Sequence, residues 1–203
     1  MVTLYLIRHG QTDWNRERRW QAQLDVPLND HGRGQALELG TWISRLPLGT
    51  LYSSDLGRAL ETARIVAECF PKGLSVSPDH RWREFDAGAL AGYTIAELRE
   101  LYPDWWEADQ RDPVGTTAPG GESFRDMVAR VTQAATELAE KHPAQTVGVV
   151  THGGPVRALV SHVLGLTGQH LDSLYIDNCG LTVVEWGPNP RLLALNVSRR
   201  WLG

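Results

Sequence analysis

Short apolar runs alternate with longer stretches in which apolar positions recur every three or four residues, and this alternation predicts the elements of the fold. Strand-like runs occupy 2 to 7, 50 to 53, 146 to 151, 181 to 186 and 192 to 197, with a weaker one at 74 to 77. Ala36, Leu39, Ile43 and Leu46 line one face of a first helix that begins near Asn29 and Asp30, whose side chains can cap free N–H groups. A second carries the stripe Leu56, Ala59, Leu60, Ala63, Val66, Ala67 and Phe70. Thr94 with Glu97 makes a capping box for a short third helix, and Ser123 with Asp126 opens a fourth running to about Lys141. Pro155 inside its start and Gly165 past its end bracket a fifth. Loops rich in proline and glycine fall at 112 to 121 and 187 to 190, the second joining the last two strands as an antiparallel hairpin. Strands alternating with helices imply an α/β chain with its sheet covered on both faces, and the terminal hairpin makes that sheet mixed.

Composition narrows the class. With 42% hydrophobic and 22% charged residues, the 203-residue chain can bury a core, and one domain is the expectation at this length. The longest apolar runs, such as Leu4 to Ile7 and Val147 to Val150, fall far short of the ~18 residues a membrane span needs. Met1 leads directly into the first strand without a basic leader or cleavage site, so a cytoplasmic protein is expected. Cys69 and Cys179 are isolated, which predicts two reduced thiols. A net charge of -4 with a pI near 6.0 argues against a nucleic-acid partner. Lys72 and Lys141 are the only lysines, so eighteen of the twenty basic residues are arginine, whose planar fork suits phosphate or carboxylate.

Two segments carry the chemistry. The apolar run ending Leu6-Ile7 passes into Arg8-His9-Gly10-Gln11-Thr12-Asp13-Trp14-Asn15, which puts Arg8 and His9 at the carboxyl end of a strand, where open α/β sheets bind ligands. Adjacent strand residues point to opposite faces, and Gly10 is expected to break the strand so that both converge. Val147-Gly148-Val149-Val150-Thr151-His152-Gly153-Gly154-Pro155 repeats the logic: His152 ends a buried strand, and the free N–H groups at Gly153 begin a helix, an anion site. The pair reads as a phosphate cradle rather than a metal centre, since no third ligand stands at coordinating spacing and Arg8 would repel a divalent cation. Strand ends that merely bond to backbone are the alternative. Arg58 lies in the first turn of the second helix, where a cation needs an anionic partner; Asp55 or a ligand can supply it. For Glu84, burial by Phe85 would raise the pKa and Arg83 would lower it, leaving its role open.

Taken together, Arg-His-Gly-x-Thr-x-x-Asn at 8 to 15, Ser-Ser-Asp-Leu-x-Arg-Ala-x-x-Thr-Ala at 53 to 63, Arg83-Glu84 and Thr151-His152-Gly153-Gly154 resemble the histidine phosphatase superfamily in its phosphoglycerate mutase-like branch. The motifs follow the family's order from Leu4 to about Gly165. The resemblance implies a three-layer α/β/α sandwich with a mixed, mostly parallel sheet. It also implies that His9 is phosphorylated, that Arg8, Arg58 and His152 hold the phosphoryl group, that Asn15 supports the pocket and that Glu84 donates and accepts the proton. The expected activity is metal-independent hydrolysis of phosphate monoesters, with no cofactor and a small-molecule substrate, by a monomer or homodimer.

Water as acceptor makes a phosphatase; a second position on a sugar phosphate makes a cofactor-dependent mutase; loss of the chemistry leaves a phospho-ligand binder. A binder would be expected to lose His9 or Glu84, and both are present. The resemblance places 93 to 121 over the pocket as a lid-like insertion. Its Arg99 and Arg111 stand against Glu97, Glu100, Asp104, Glu107, Asp109 and Asp112, a balance of -4 that is the wrong sign for a bisphosphate. Pro119-Gly120-Gly121-Glu122-Ser123 likewise resembles phosphatase members. Tyr93, Tyr102, Trp105 and Trp106 are candidates to line the pocket, or else pin the segment to the domain. Arg16, Arg18 and Arg19 read as a solvated loop able to steer anions, and His31, His80, His142, His162 and His170 as structural or surface residues.

Overall fold

The structure, a computed structural model, describes residues 1–167 and 173–198, so His170 lies outside the described residues. Strands β1 (Val2–Arg8), β2 (Thr50–Ser53), β3 (Val76–Pro78), β4 (Thr146–Thr151), β5 (Leu181–Trp186) and β6 (Arg191–Val197) form one sheet in the order β3-β2-β4-β1-β5-β6. The first four of that order run parallel, and β5 is antiparallel to both β1 and β6. The sheet is therefore mixed and mostly parallel, and the terminal hairpin is present. Among the described residues no helix is long and apolar enough to cross a membrane.

Helices α1 (Asp13–Glu17), α2 (Asp30–Ile43), α3 (Gly57–Glu68), α4 (Ile95–Leu101), α5 (Pro103–Arg111), α6 (Phe124–Lys141) and α7 (Gly153–Leu164) complete the fold. The period of two along β1 decides which helix meets which face. Leu4 and Leu6 join Val147 and Val149 of β4 against Met127 and Val131 of α6 and Val156 and Leu159 of α7. Ile7 and Val150 face the other way, onto Ala36 and Ile43 of α2 and Ala63 and Val66 of α3. These are the three layers of an α/β/α sandwich. Near the sheet's carboxyl edge a third cluster joins Leu98, Trp105 and Ala118 to Ala22, Ala87 and Leu90.

Two elements depart from the expectation. The residues after Gly10 contain a helix, α1, closed by a reciprocal capping box between Thr12 and Asn15. The segment opened by Thr94 and Glu97 holds two helices, because Pro103 cannot extend α4 and instead starts α5 at its first turn. β1 and β4 are direct neighbours, with Arg8 opposite Thr151 and the His9 N–H donating to the Thr151 carbonyl at 2.9 Å. His9 and His152 thus leave adjacent strand ends at the same level.

Candidate active site

His9, 2% exposed, begins the site. Its Nδ1 lies 2.7 Å from the Gly10 carbonyl, an acceptor only, and the Arg58 guanidinium, a donor only, presents Nε–H to His9 Nε2 at 3.3 Å. These two partners fix the tautomer: Nδ1 carries the proton and Nε2 keeps a lone pair. Burial, with the nearby charges of Arg58 and Arg8, holds the His9 pKa well below the ordinary histidine value, so the ring is neutral. Gly10 serves this turn differently from the expectation. It is not among the glycines with positive φ. A Cβ there would come within 2.4 Å of the Gly32 carbonyl, so the glycine permits the start of α2 to press against the loop.

Arg58 is fully buried, yet Asp55 is not its partner: that carboxylate makes a two-pronged pair with Arg83, both distances 2.7 Å. The Arg58 terminal nitrogens donate instead to the carbonyls of Leu24 at 2.7 Å and Ala22 at 2.6 Å. Burial lowers its pKa to about 10, against the opposing pull of Glu84 and Asp25, and it stays charged at neutral pH. Arg8 is held by one bond from Nη1 to the Ile176 carbonyl at 2.6 Å. His152, fully buried, lies edge-on to His9 with ring centroids 5.1 Å apart, and burial keeps it neutral as well. Ser54 Oγ accepts from the Leu56 N–H and lies 2.8 Å from His152 Nε2, its one acceptor among the described residues. His152 Nδ1 accordingly carries a proton that has no partner.

Such orphans are informative, because buried polar atoms are nearly always satisfied. Five occur among the described residues: Arg8 Nε, His152 Nδ1, Gln21 Oε1, Trp82 Nε1 and Trp105 Nε1. Arg8, Gln21 and Trp105 line one cavity of about 390 Å³, which His9, Asn15, Arg58, Glu84 and Gly153 also line. Gly153, at the start of α7, brings its N–H to this cavity, and a Cβ there would sit 3.8 Å from Arg8 Nε. Asn15 Oδ1 accepts from the Thr12 N–H at 3.0 Å and Asn178 Nδ2 at 3.2 Å, which leaves its amide N–H2 for a ligand. The donors gathered around His9 suit a tetrahedral anion.

Glu84 lines the same cavity, resting on the start of α7. Its Oε1 accepts from the N–H groups of Phe85 at 2.9 Å and Gly154 at 3.1 Å. A Cβ on Gly154 would fall 2.1 Å from that oxygen, so only glycine lets the carboxylate rest on the start of α7. The Glu84 backbone is held by Arg130, which sequence reading missed because its targets are carbonyls. Arg130 donates to the carbonyls of Arg81 and Arg83, each at 2.8 Å, and of Glu84 at 3.0 Å, while Glu122 pairs with its fork at 2.6 and 2.9 Å. Both side chains are largely buried, and Glu122 also accepts from the Asp86 N–H. Arg130→Gln should cost about 2 kcal/mol, less than the ~3–5 kcal/mol of breaking a fully buried pair because some solvent remains. In chemical denaturation Glu122→Gln should then cost less in that background than alone; strictly additive losses would deny the coupling.

Ser54, Thr62 and Asn178 were also missed as supports. Thr62 accepts from the Gly10 N–H at 3.1 Å and Asn178 donates to the His9 carbonyl at 3.0 Å. Ser54 and Thr62 stood inside a motif already noticed, though without these roles; Asn178 stood in none. Of the four aromatics proposed for the pocket, Trp105 and Trp106 line the cavity; Tyr93 and Tyr102 do not, their rings packing on each other 5.9 Å apart. The negative balance of 93 to 121 is not turned inward: Asp109 alone of its six acids lines the cavity, whereas Glu97 caps α4 and pairs with Arg19. Arg19 lines the cavity too, so it is more than a solvated loop residue; Arg16 and Arg18 are exposed. Among the described residues no group of three or more His, Cys, Asp or Glu could hold a metal ion.

The sandwich and this cluster define a protein that receives an anion against a neutral imidazole, the class in which phosphoryl groups are handled on histidine. Comparison supplies the family. The model of the histidine phosphatase superfamily (branch 1) matches residues 4–198, and the chain belongs to that superfamily. The probable phosphoglycerate mutase GpmB of Klebsiella pneumoniae is 36% identical over 192 residues, 95% of this chain and 88% of the relative. Among solved structures, Bacillus stearothermophilus YhfR is 33% identical with a TM-score of 0.87, over 96% of both chains. A mycobacterial glucosyl-3-phosphoglycerate phosphatase, in complex with VO3, is 34% identical with a TM-score of 0.83, over 97% of this chain and 99% of that one.

Proposed function

We propose that the protein is a phosphatase that hydrolyses small-molecule phosphate monoesters, without a metal ion, through a phosphohistidine at His9. The observation that carries this reading is the His9 tautomer: a neutral ring with its Nε2 lone pair in a cavity where Arg8 Nε and Trp105 Nε1 are donors without a partner. Nε2 attacks phosphorus in line as the ester P–O bond breaks, and Glu84, entering as the carboxylic acid, protonates the departing alkoxide. The Nδ1–H bond to the Gly10 carbonyl persists and steadies the positive ring so formed. Glu84, now a carboxylate, takes a proton from water as its oxygen attacks phosphorus. The P–N bond breaks, and His9 returns neutral.

Charge on the equatorial oxygens meets Arg8, Arg58, the His152 Nδ1–H, the Asn15 amide and the Gly153 N–H, all placed before substrate arrives. These supply the positive charge for which other phosphoryl-transfer sites recruit a divalent ion. Segment 93–121 serves as the wall over the leaving group, through Trp105 and Trp106. The name of the Klebsiella relative favours a second reading, transfer between positions of phosphoglycerate. Both readings meet in one experiment, 3-phosphoglycerate followed by NMR in the presence of a chelator. Release of inorganic phosphate at an undiminished rate is expected. Accumulation of 2-phosphoglycerate would favour the mutase, and activity lost to chelator and restored by a divalent ion would remove metal independence.

A further inference from the structure

Arg157 stands in the second turn of α7 and lines the same cavity, and the reaction proposed above does not use it. Its Nε donates to the Leu174 carbonyl at 2.8 Å, two residues before the Ile176 carbonyl that holds Arg8. One short segment thus anchors two arginines at the cavity wall, near enough that the Arg157 charge adds to burial in lowering the Arg8 pKa. Arg157 has no carboxylate partner and no bond from either terminal nitrogen among the described residues. A positive charge beside another, close to the positive end of a helix, is unfavourable by itself. The arrangement is relieved when an anion takes the fork.

We infer that Arg157 is a specificity-determining residue that binds a carboxylate on the leaving group, so that the preferred substrates are phosphomonoesters carrying a carboxylate. The inference rests on the proposed hydrolase reaction. Arg8 and Arg58 face His9 and are engaged by the phosphoryl group, whereas Arg157 is left for the rest of the substrate. One fork, uncommitted among the described residues, matches one negative charge in bidentate geometry. Asp109 lines the same cavity and Arg19 is already paired with Glu97 and Glu17, so a second phosphate, with nearly two charges, would be under-compensated. Trp105, Trp106 and Phe85 supply apolar surface for the carbon skeleton between the two anions.

The experiment compares 3-phosphoglycerate with glycerol 3-phosphate, which replaces the carboxylate by hydroxymethyl, and uses p-nitrophenyl phosphate as a third substrate. The native chain should favour 3-phosphoglycerate by about 10-fold or more in kcat/KM, a margin that one charge-assisted fork supplies. In Arg157→Gln that ratio should fall to about 1, mostly through KM, because the carboxylate is remote from the reacting phosphorus. Arg157→Lys keeps the charge without the fork and should recover part of the ratio. A native chain that treats the two esters alike, or an unchanged ratio in Arg157→Gln, overturns the inference. So does equal loss on all three substrates, which would make Arg157 a support for the Leu174 loop. If the native chain hydrolyses none of the three, p-nitrophenyl phosphate included, the hydrolase reading itself falls, and the carboxylate site with it.

Discussion

His9→Ala will abolish turnover and, with it, acid-labile labelling of the protein by a phosphate ester, a loss of at least ~10⁴-fold. The expectation follows from the arrangement around the ring rather than from its burial. In this cavity only the Nε2 of His9 combines a lone pair, a fixed tautomer and direct contact with the buried arginine Arg58. His152 cannot replace it, because its Nε2 is engaged by Ser54 and its Nδ1 carries the proton. His152→Ala should therefore label slowly but still label. Labelling that survives in His9→Ala would move the nucleophile elsewhere.

The same environment sets the pH response. The His9 pKa lies well below its ordinary value, so the attacking form persists as pH falls through about 6.5 and is lost only at lower pH. The acidic limb of kcat/KM, which reports the free enzyme, should accordingly appear below that value. A limb at or above it would mean that burial and the arginines do not hold the ring neutral. An arginine beside a nucleophilic imidazole thus has two effects: it keeps the base free of a proton, and it stands ready for the oxygens the base attacks.

How far the sequence revealed this site depended on whether a residue acts through its own neighbours in the chain. Arg8, His9 and His152 were visible because each ends an apolar run, and strand ends in α/β sheets face ligands. Arg130 and Asn178 were not, since each works on carbonyls 46 to 169 residues away, and a carbonyl acceptor leaves no mark on the residue that owns it; Thr62 stood in a motif, but its bond to the Gly10 N–H, 52 residues away, was hidden for the same reason of distance. Arg58 was visible from its place in the first turn of α3, with Asp55 or a ligand left open as its partner; Asp55 pairs with Arg83 instead, and the two carbonyls that hold Arg58 left no mark. Net charge misled in segment 93–121, where composition recorded six acids but not the side on which they stand. Glu97 and Glu100 stand three apart on α4, and Asp104 and Glu107 three apart on α5, each pair on one helix face away from buried Leu98 or Trp105, and that spacing held the missing information.

Glu84→Gln should lower hydrolysis of an alkyl phosphate by roughly 10² to 10⁴, the usual worth of a positioned acid and base. p-Nitrophenyl phosphate should suffer much less, because its leaving group departs without a proton. The amide is nearly the same size and can still accept from Phe85 and Gly154, so the change isolates proton transfer from position. Position is tested by Gly154→Ala, which leaves the carboxylate intact but puts a methyl where Glu84 Oε1 lies, 2.1 Å from the new carbon. The oxygen must move, and the start of α7 loses its guest. A displacement of about 1 Å at a reacting group costs ~10²-fold, so Gly154→Ala should approach the Glu84→Gln loss on alkyl esters and share its tolerance of p-nitrophenyl phosphate. Combining the two substitutions should add little, since a glutamine that transfers no proton cannot be further misplaced. Equal losses on activated and alkyl esters in both variants would reassign Glu84 from proton transfer to a structural role at the helix start.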